Sequence, residues 1–405
     1  VRALIDGQPT AAGNLRMMQA MGLADEQIEQ LHHNAASQGR TPLFIAQSGV
    51  ILGMIAVADT IKPTSRAAVA EFKRMGIDVI LLTGDNPLSI FATVVKGAFG
   101  TGRTLVTIHD VAILLCISLA VTPAFRMRFW NTGAEGQVLI GCLSTAVCML
   151  VLGGKVADWL LILIMTAAAI VSGVIWGVIP AFFKAQWGTN ETLFTLMMNY
   201  VAIQLIEYFL KIADKTGSNV VGPDLLRHGW FPNLFGVQYL LNIVIVVILT
   251  VLMFVYLKYS KHGYEISVVG GSENTARYVG INVKKVIVRT MALSGAVCGI
   301  AGLLLVGGSS HSIDSNLADG RGFTAIMVSW LAKFNPLMMV LTSLLLVFMA
   351  RGADEVTSKF GLNSAFADIL TGIILFFIIG CEFFINYEVH LNHRKKAAVA
   401  QEGEN

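Results

Sequence analysis

From about Thr104 onward the chain alternates long apolar blocks with short polar punctuation, and the blocks approach the roughly 20 residues a helix needs to cross hydrocarbon. They predict spans at about Thr104 to Phe125, Gln137 to Gly153, Trp159 to Phe183, Glu191 to Ile212, Gln238 to Leu257, Val286 to Val306, Leu337 to Ala350, and Ala367 to Phe384. "GFTAIMVSWLAKF", Gly322 to Phe334, is too short for a crossing and reads as re-entrant, a conformation allowed only where protein or a water-filled cavity covers it. Before Asn86 the pattern is that of a soluble α/β segment. "LADEQIEQLHHNAASQGRTP" is polar with a helical period, and "TPLFIAQSGVILGMIAVAD" sets short apolar runs between turn residues, as strands do. "SRAAVAEFKRMG" predicts an amphipathic helix stopped by Gly76, and "IDVILLTGD" a buried strand after it. The expected organisation is therefore a soluble α/β fragment over 1–86, a mainly α multi-pass bundle of about eight spans over 87–390, and a polar tail over 391–405.

Positive charge orients the bundle, because Lys and Arg near span ends favour the cytoplasm. Lys258, Lys261, Arg277, Lys284, Lys285 and Arg289 crowd the stretch from Lys258 to Arg289, whereas Ala213 to Val237 holds only Lys215 and Arg227. The first is expected inside and the second outside. Counting back, Lys184 is inside, Gly154 outside, and Arg126 with Arg128 inside, so the block from Thr104 enters from outside. That would put 1–86 on the external face, where a nucleotide-handling domain cannot work, and implies a splice of unrelated parts with at least one span lost between them.

Composition agrees with a membrane class: 55% of residues are hydrophobic and 14% charged, against roughly 25% charged in soluble proteins. The net charge of +3, with no basic run interleaved with aromatics, excludes nucleic acid as a partner. Cys116, Cys142, Cys148, Cys298 and Cys381 all lie in apolar stretches without metal or disulfide spacing, and are expected as packing residues. His32 and His33, adjacent on a helix, point about 100° apart and read as a solvated pair rather than a metal site. "GAFGTGRT" imitates a phosphate loop, yet a span follows it in place of a soluble helix.

Polar groups at membrane depth are costly and usually tied to function. "RMRFWNTGAEGQVLIG" puts Asn131, Glu135 and Gln137 at the mouth of a span, with Gly133 and Gly136 permitting close backbone approach. Glu135 either shapes a translocation path or caps a helix start. Asn199, in "TLFTLMMNYVA", either meets substrate or bonds another helix. "GAVCG", Gly295 to Gly299, is a small-residue face suited to close helix packing. Between two spans, Glu273 to Tyr278 predicts a short exposed helix with Ser272 as N-cap and Gly280 at its end, suited to a soluble partner.

"NPLSIFATVVKGAFG", "FRMRFWNTGAEGQVLIG", "TNETLFTLMMNYVA", "SENTARYVGINVKKV" and "GRGFTAIMVSWLAKFNP" resemble stretches of the membrane permease of bacterial ABC importers of the nucleoside and simple-sugar branch. The resemblance implies a plasma-membrane protein without catalytic residues. A second permease, as homo- or heterodimer, would complete the pore. A cytoplasmic ATPase subunit would bind ATP, and an extracellular lipoprotein or periplasmic binding protein would deliver solute. It assigns Glu273, Asn274, Ala276, Arg277, Tyr278 and Gly280 to the element that docks on the ATPase. His109 and Asp110 depart from its more apolar pattern, and charge there is tolerable only near the outer interface or in the lumen. "ADTIKPTSRAAVAEFKRMGIDVILLTGDN" and "GNLRMM" resemble heavy-metal P-type ATPases, notably copper exporters. That likeness implies a vestigial phosphate and nucleotide site of Gly13, Asn14, Lys62, Thr83, Gly84 and Asp85. The Asp-Lys-Thr-Gly nucleophile motif such a pump needs is absent from the sequence, so no enzyme and no bound cofactor is expected. The alternative expectation is a non-functional chimera or pump fragment.

Overall fold

The computed structural model describes residues 2–5, 8–13, 15–23, 28–32, 41–47, 50–57, 87–213 and 217–360, with isolated helical positions between 369 and 380. It divides into two compact units, Val1–Ala92 and Thr93–Asn405. In the first, strands β1 (Arg2–Ile5), β2 (Gln8–Gly13), β3 (Thr41–Gln47) and β4 (Val50–Val57) form an antiparallel sheet in chain order. The two apolar runs expected as strands are β3 and β4; β1 and β2, too short to show alternation, were not anticipated. Helix α1 (Leu15–Ala20) brings Met18 against Phe44 and Ala46, and these three buried side chains form the small core of the unit. The expected helix over "SRAAVAEFKRMG", the strand over "IDVILLTGD", the eighth span as an element, and the tail lie outside the described residues, as do His33 and Cys381.

Among the described residues of the second unit, seven helices are long and apolar enough to cross a membrane. They are α3 (Thr104–Arg126), α4 (Ala134–Leu152), α5 (Asp158–Trp187), α6 (Glu191–Ala213), α7 (Leu240–Tyr259), α10 (Val283–Leu305) and α12 (Pro336–Phe360). The shorter helices α8 (Lys261–Gly271), α9 (Glu273–Tyr278) and α11 (Arg321–Leu331) are also described, α2 (Pro87–Phe99) spans the division between the units, and α10 runs on into a π-turn, Val306–Ser310. The bundle has an inside and an outside. For α3 and α10, 72% of the apolar stretch is buried within the protein, against 22% for α5 and 28% for α6 and α7. The first pair is therefore central, and the others turn most of their surface outward from the bundle.

Glycine sets how closely α10 is packed. A Cβ on Gly295 would collide with the Gly173 carbonyl of α5, and one on Gly299 with the Ala169 carbonyl. On the neighbouring side, a Cβ on Gly302 would lie 2.5 Å from the Val138 carbonyl of α4. Backbone thus meets backbone along the small-residue face anticipated at "GAVCG", where dispersion and close fit replace the missing hydrophobic drive between helices in lipid. Cys116, Cys142 and Cys298 are buried in the same core.

Helix α11 has 11 residues, a rise of about 16 Å, half the roughly 30 Å of hydrocarbon. It lies along α3, where the Ser329 hydroxyl donates to the Ser118 carbonyl at 3.0 Å, and Trp330 meets Trp130 with ring centroids 5.5 Å apart. Its length fits the re-entrant expectation, and one face, with Gly322, Ala325, Val328 and Ser329, is buried against the bundle while Phe323, Met327 and Trp330 stay exposed. Helix α12 continues beyond the expected end at Ala350 to Phe360, because Arg351, read from sequence as the polar end of a span, has its charge paired inside the bundle.

Candidate functional site

Three polar assemblies stand out in the second unit. The first surrounds the start of α4. The Asn131 amide donates to the Ser294 hydroxyl of α10 at 3.1 Å and exchanges longer bonds with the Gln137 side chain, 3.3 and 3.5 Å. Its carbonyl also accepts from the Gly133 amide at 3.2 Å. Asn199 of α6 accepts from the Gly136 amide at 2.8 Å and donates to the Thr132 carbonyl at 2.9 Å. Two asparagines therefore supply acceptors to the unpaired first-turn amides that every helix carries. Of the two uses expected for Asn199, the bond to another helix is made. Gly136 is required here, since a Cβ would lie 2.8 Å from the Asn199 amide oxygen.

Glu135 caps a helix start, but not its own. Its two carboxylate oxygens accept from the Gly320 amide at 2.8 Å and the Gly322 amide at 2.7 Å, at the beginning of α11. A Cβ on Gly322 would sit 2.5 Å from the Glu135 nitrogen, so the contact depends on glycine there. The first amides of a helix have no partner within it, and here the carboxylate meets both their hydrogen-bonding capacity and the positive end of the dipole. Nothing in the sequence near Glu135 announced this pairing, because its donors lie in a segment 185 and 187 residues later.

The second assembly holds the unusual acid of α3. Asp110 accepts from Arg351 of α12 through Nε at 2.8 Å and again through Nη2, while Arg321 of α11 lies 3.8 Å away. Beside it, the buried His109 ring meets the Asn242 amide of α7 at 3.1 Å. The departure noted at His109 and Asp110 is thus answered by Arg321, Arg351 and Asn242, which sequence reasoning did not single out. The available signal was a lone acid early in one span and a lone arginine just past the expected end of another.

The third assembly lies at the α8 and α9 end of the bundle. The Ser272 hydroxyl accepts from the Thr275 amide at 3.3 Å, and Gly280 leaves the helix with φ of 81°, the cap and the stop expected. Ala276 is fully buried, whereas Glu273, Asn274, Arg277 and Gly280 are exposed and Tyr278 is 91% exposed. Beneath Ala276, Met127, Phe129, Leu257, Ile266, Val286 and Met291 form a hydrophobic cluster separate from the main core. Polar ties reinforce it. Arg289 of α10 donates to Glu265 of α8 at 2.7 Å, and Arg126 of α3 donates to the Leu257 carbonyl of α7 at 3.3 Å. The Arg289 hydrogen bond holds the Glu265 carboxyl below the usual carboxylate range, outweighing its partial desolvation.

Of the residues expected in a vestigial phosphate site, Gly13 ends β2, while Asn14, Lys62, Thr83, Gly84 and Asp85 lie outside the described residues. Among the described residues no cluster of His, Cys, Asp and Glu is arranged to hold a metal.

Known proteins resemble the two parts separately. A family model described as haloacid dehalogenase-like hydrolase matches residues 6–113. The front part is 39% identical over 84 residues to the copper-exporting P-type ATPase of Bacillus subtilis, which is 20% of this chain but 10% of that one. So small a share of a pump does not carry the activity of a whole one. Over 314 residues the chain is 29% identical to the guanosine ABC transporter permease protein NupP of Bacillus subtilis, covering 75% of this chain and 88% of the relative. It is 29% identical over 302 residues to the glucose ABC transporter permease protein TsgB13 of Haloferax volcanii, covering 71% and 78%. These relatives are named as transporters, and with seven apolar helices they make this a multi-pass protein of the inner membrane. The model for the permease component of branched-chain amino acid transport systems matches residues 104–379, most of the chain, and the chain belongs to that permease family.

Proposed function

We propose that this chain forms the translocation path of an ATP-driven importer for a nucleoside or a simple sugar, powered by an ATPase on a separate cytoplasmic polypeptide. A second permease would complete the pore, and an external binding protein would bring solute to it. The observation that carries the reading is α9: a capped helix held by one fully buried side chain, Ala276, with Tyr278 standing 91% exposed beside it. A lone helix built this way has one face for anchorage and the rest for a partner. The lysines and arginines around it favour the cytoplasmic side, where an ATPase subunit would lie.

Mechanically, closure of the ATPase would push α9. Ala276 sits in the same apolar cluster as the ends of α3, α7 and α10, and Glu265 to Arg289 bonds α8 to α10. A displacement of α9 is therefore passed to spans rather than absorbed in a loop. Farther in, the Asn131, Glu135, Gln137 and Asn199 network joins α4, α6, α10 and the start of α11, so these move together as one side of a rocking pair. In this reading those four residues frame the path, and their polar atoms serve the protein before any solute. The solute class follows the relatives named for guanosine and glucose.

The test has two arms. Full-length chain, tagged and purified in mild detergent from its own cells, should bring an ATP-hydrolysing subunit with it. The Asn274→Asp, Arg277→Glu variant should be recovered at equal yield without that subunit. Undiminished recovery of ATPase with the variant would remove α9 from the interface. Cells expressing the chain should accumulate tritiated guanosine or ribose in an energy-dependent way, and accumulation of neither refutes the solute class.

A further inference from the structure

Two cavities adjoin at the end of the bundle away from α9. The first, of about 90 Å³, opens between the start of α7 and the end of α10, and Asn233, Gln238, Tyr239 and Ser309 are in its lining. No Asp, Glu, Lys or Arg is among the described residues that line it. The second is an apolar groove of about 550 Å³, lined by Ile162 and Leu163 of α5, Leu241 and Ile245 of α7, and Leu303 and Leu304 of α10. The Thr166 hydroxyl in the same lining is already bonded to the Ile162 carbonyl of its own helix, at 2.8 Å. Phe231, Pro232 and Leu241 belong to both linings. The two spaces are therefore contiguous, polar at one end and apolar along the rest.

The depth of this site follows from its neighbours. Trp159 opens α5, and Trp230 and Tyr239 precede α7, so three residues of the kinds that settle at headgroup level gather at this end. The groove runs from there along two crossing helices that turn most of their surface away from the bundle, and Leu163 at its edge is 58% exposed. Left empty in hydrocarbon, such a groove would forfeit the dispersion contacts of its lining. Its apolar walls exclude a polar solute. A second copy of the chain fits poorly as well. Close helix association in lipid uses small residues, as Gly295 and Gly299 do against α5, whereas the groove is walled by leucine, isoleucine and Trp159. A slender, flexible chain fits that shape. An acyl chain is as apolar elsewhere in the bilayer, so the groove alone does not hold one lipid in preference to another. The polar cavity at its end supplies the difference.

We propose that the joined cavities hold one glycerophospholipid of the leaflet away from α9, with an acyl chain along the groove and the glycerol and ester oxygens at the polar cavity. Ester carbonyls accept hydrogen bonds, and amide and hydroxyl residues can donate them. A lining without charged side chains suits that uncharged part of the lipid rather than its phosphate. A lipid seated there touches the central helix α10 at Leu303 and Leu304 and ties it to α5 and α7, so it completes the wall of the bundle. The inference rests on the crossing helices and not on the class of solute.

The experiment places a benzophenone amino acid at Leu163, at the groove's edge, or at Val247, which is 55% exposed on α7 and in neither lining. Full-length chain is washed extensively in mild detergent, irradiated, and its cross-linked peptides are weighed by mass spectrometry. A phospholipid adduct should form at Leu163 and not at Val247, where the loosely held lipid has been washed away. Native mass spectrometry of unlabelled wild type should show one retained phospholipid, lost in Ile245→Trp, which fills the groove. Asn233 and Gln238 are exposed, so the Asn233→Ala, Gln238→Ala variant should fold as wild type does. It should retain the lipid about tenfold less well, the scale of one or two hydrogen bonds. Equal adducts at the two positions, or no retained phospholipid in wild type, overturns the site. Cross-linking of Leu163 to a second copy makes the groove a protein interface and overturns it too. Retention unchanged in the double alanine variant, or an adduct with detergent or free fatty acid alone, removes the polar cavity from the site and with it the proposal.

Discussion

Two polar clusters in this bundle use the same kinds of side chain to opposite ends. Around the start of α4, Asn131, Glu135, Gln137 and Asn199 are buried, and each is engaged with a protein partner. Around the start of α7, the amides and rings near Tyr239 and His311 leave a cavity and an unpaired nitrogen. A buried polar group that is satisfied by protein organises structure, and one that is left wanting costs stability. Polarity at membrane depth alone does not distinguish the two; the hydrogen-bond inventory does.

That contrast can be broken most forcefully at Glu135. Its replacement by alanine strands the buried Gly322 amide, worth about 1–3 kcal/mol when unsatisfied, and frees the more exposed Gly320 amide, and it removes the carboxylate from the start of α11, so Glu135→Ala should lower the midpoint of thermal unfolding in detergent more than any other change considered. Glu135→Gln, which keeps one acceptor, should fall between it and wild type. A Glu135→Ala protein as stable as wild type would mean that the contact with α11 is incidental. Asn199→Ala comes next. It orphans the Gly136 amide and the Thr132 carbonyl, and a loss of about 1–3 kcal/mol is expected in a chemical denaturation series, with the helix content of the folded protein unchanged. His311→Phe, which removes the unpaired nitrogen and keeps a ring against Trp230, should cost little in the same assay, under about 1 kcal/mol. A large stability loss there would erase the contrast.

The smallest expected effect lies at the α9 end. Since Arg289 holds the Glu265 carboxyl below its usual value of 4.5, the contribution of the pair is fully present above that pH and is lost only as pH falls through the lowered value. Wild type and Glu265→Gln should therefore differ by a constant amount, on the order of 1 kcal/mol for a partly buried pair at the edge of the bundle, from neutral pH down to about the ordinary carboxylate range. The difference should close in stronger acid. Unfolding midpoints measured across pH would check this, and a difference that varied around neutrality would point to a different titrating group.

What the sequence disclosed depends on how far each interaction reaches along the chain. The span from Thr104 and the short helix Glu273 to Tyr278 were legible because their causes are local: an apolar run of membrane length in one case, Ser272 and Gly280 bracketing a helical turn in the other. The brevity of "GFTAIMVSWLAKF" was legible too, and α11, at 11 residues, is as short. The partner of Glu135 was not, because only folding brings Gly320 and Gly322 to it. Nor was the end of α12, since Arg351 looks like a polar stop until Asp110 is placed opposite. At the front, β3 and β4 announced themselves by alternation, while β1 and β2 are defined by their pairing with neighbours rather than by any pattern of their own.

The long reach between Glu135 and the start of α11 also imposes an order on biogenesis. The carboxylate is synthesised early and enters the membrane with α4, whereas the amides it serves emerge only after several more crossings have been threaded. A nascent chain halted between those events would carry an acid without its donors, and the pairing closes only when the short helix is complete.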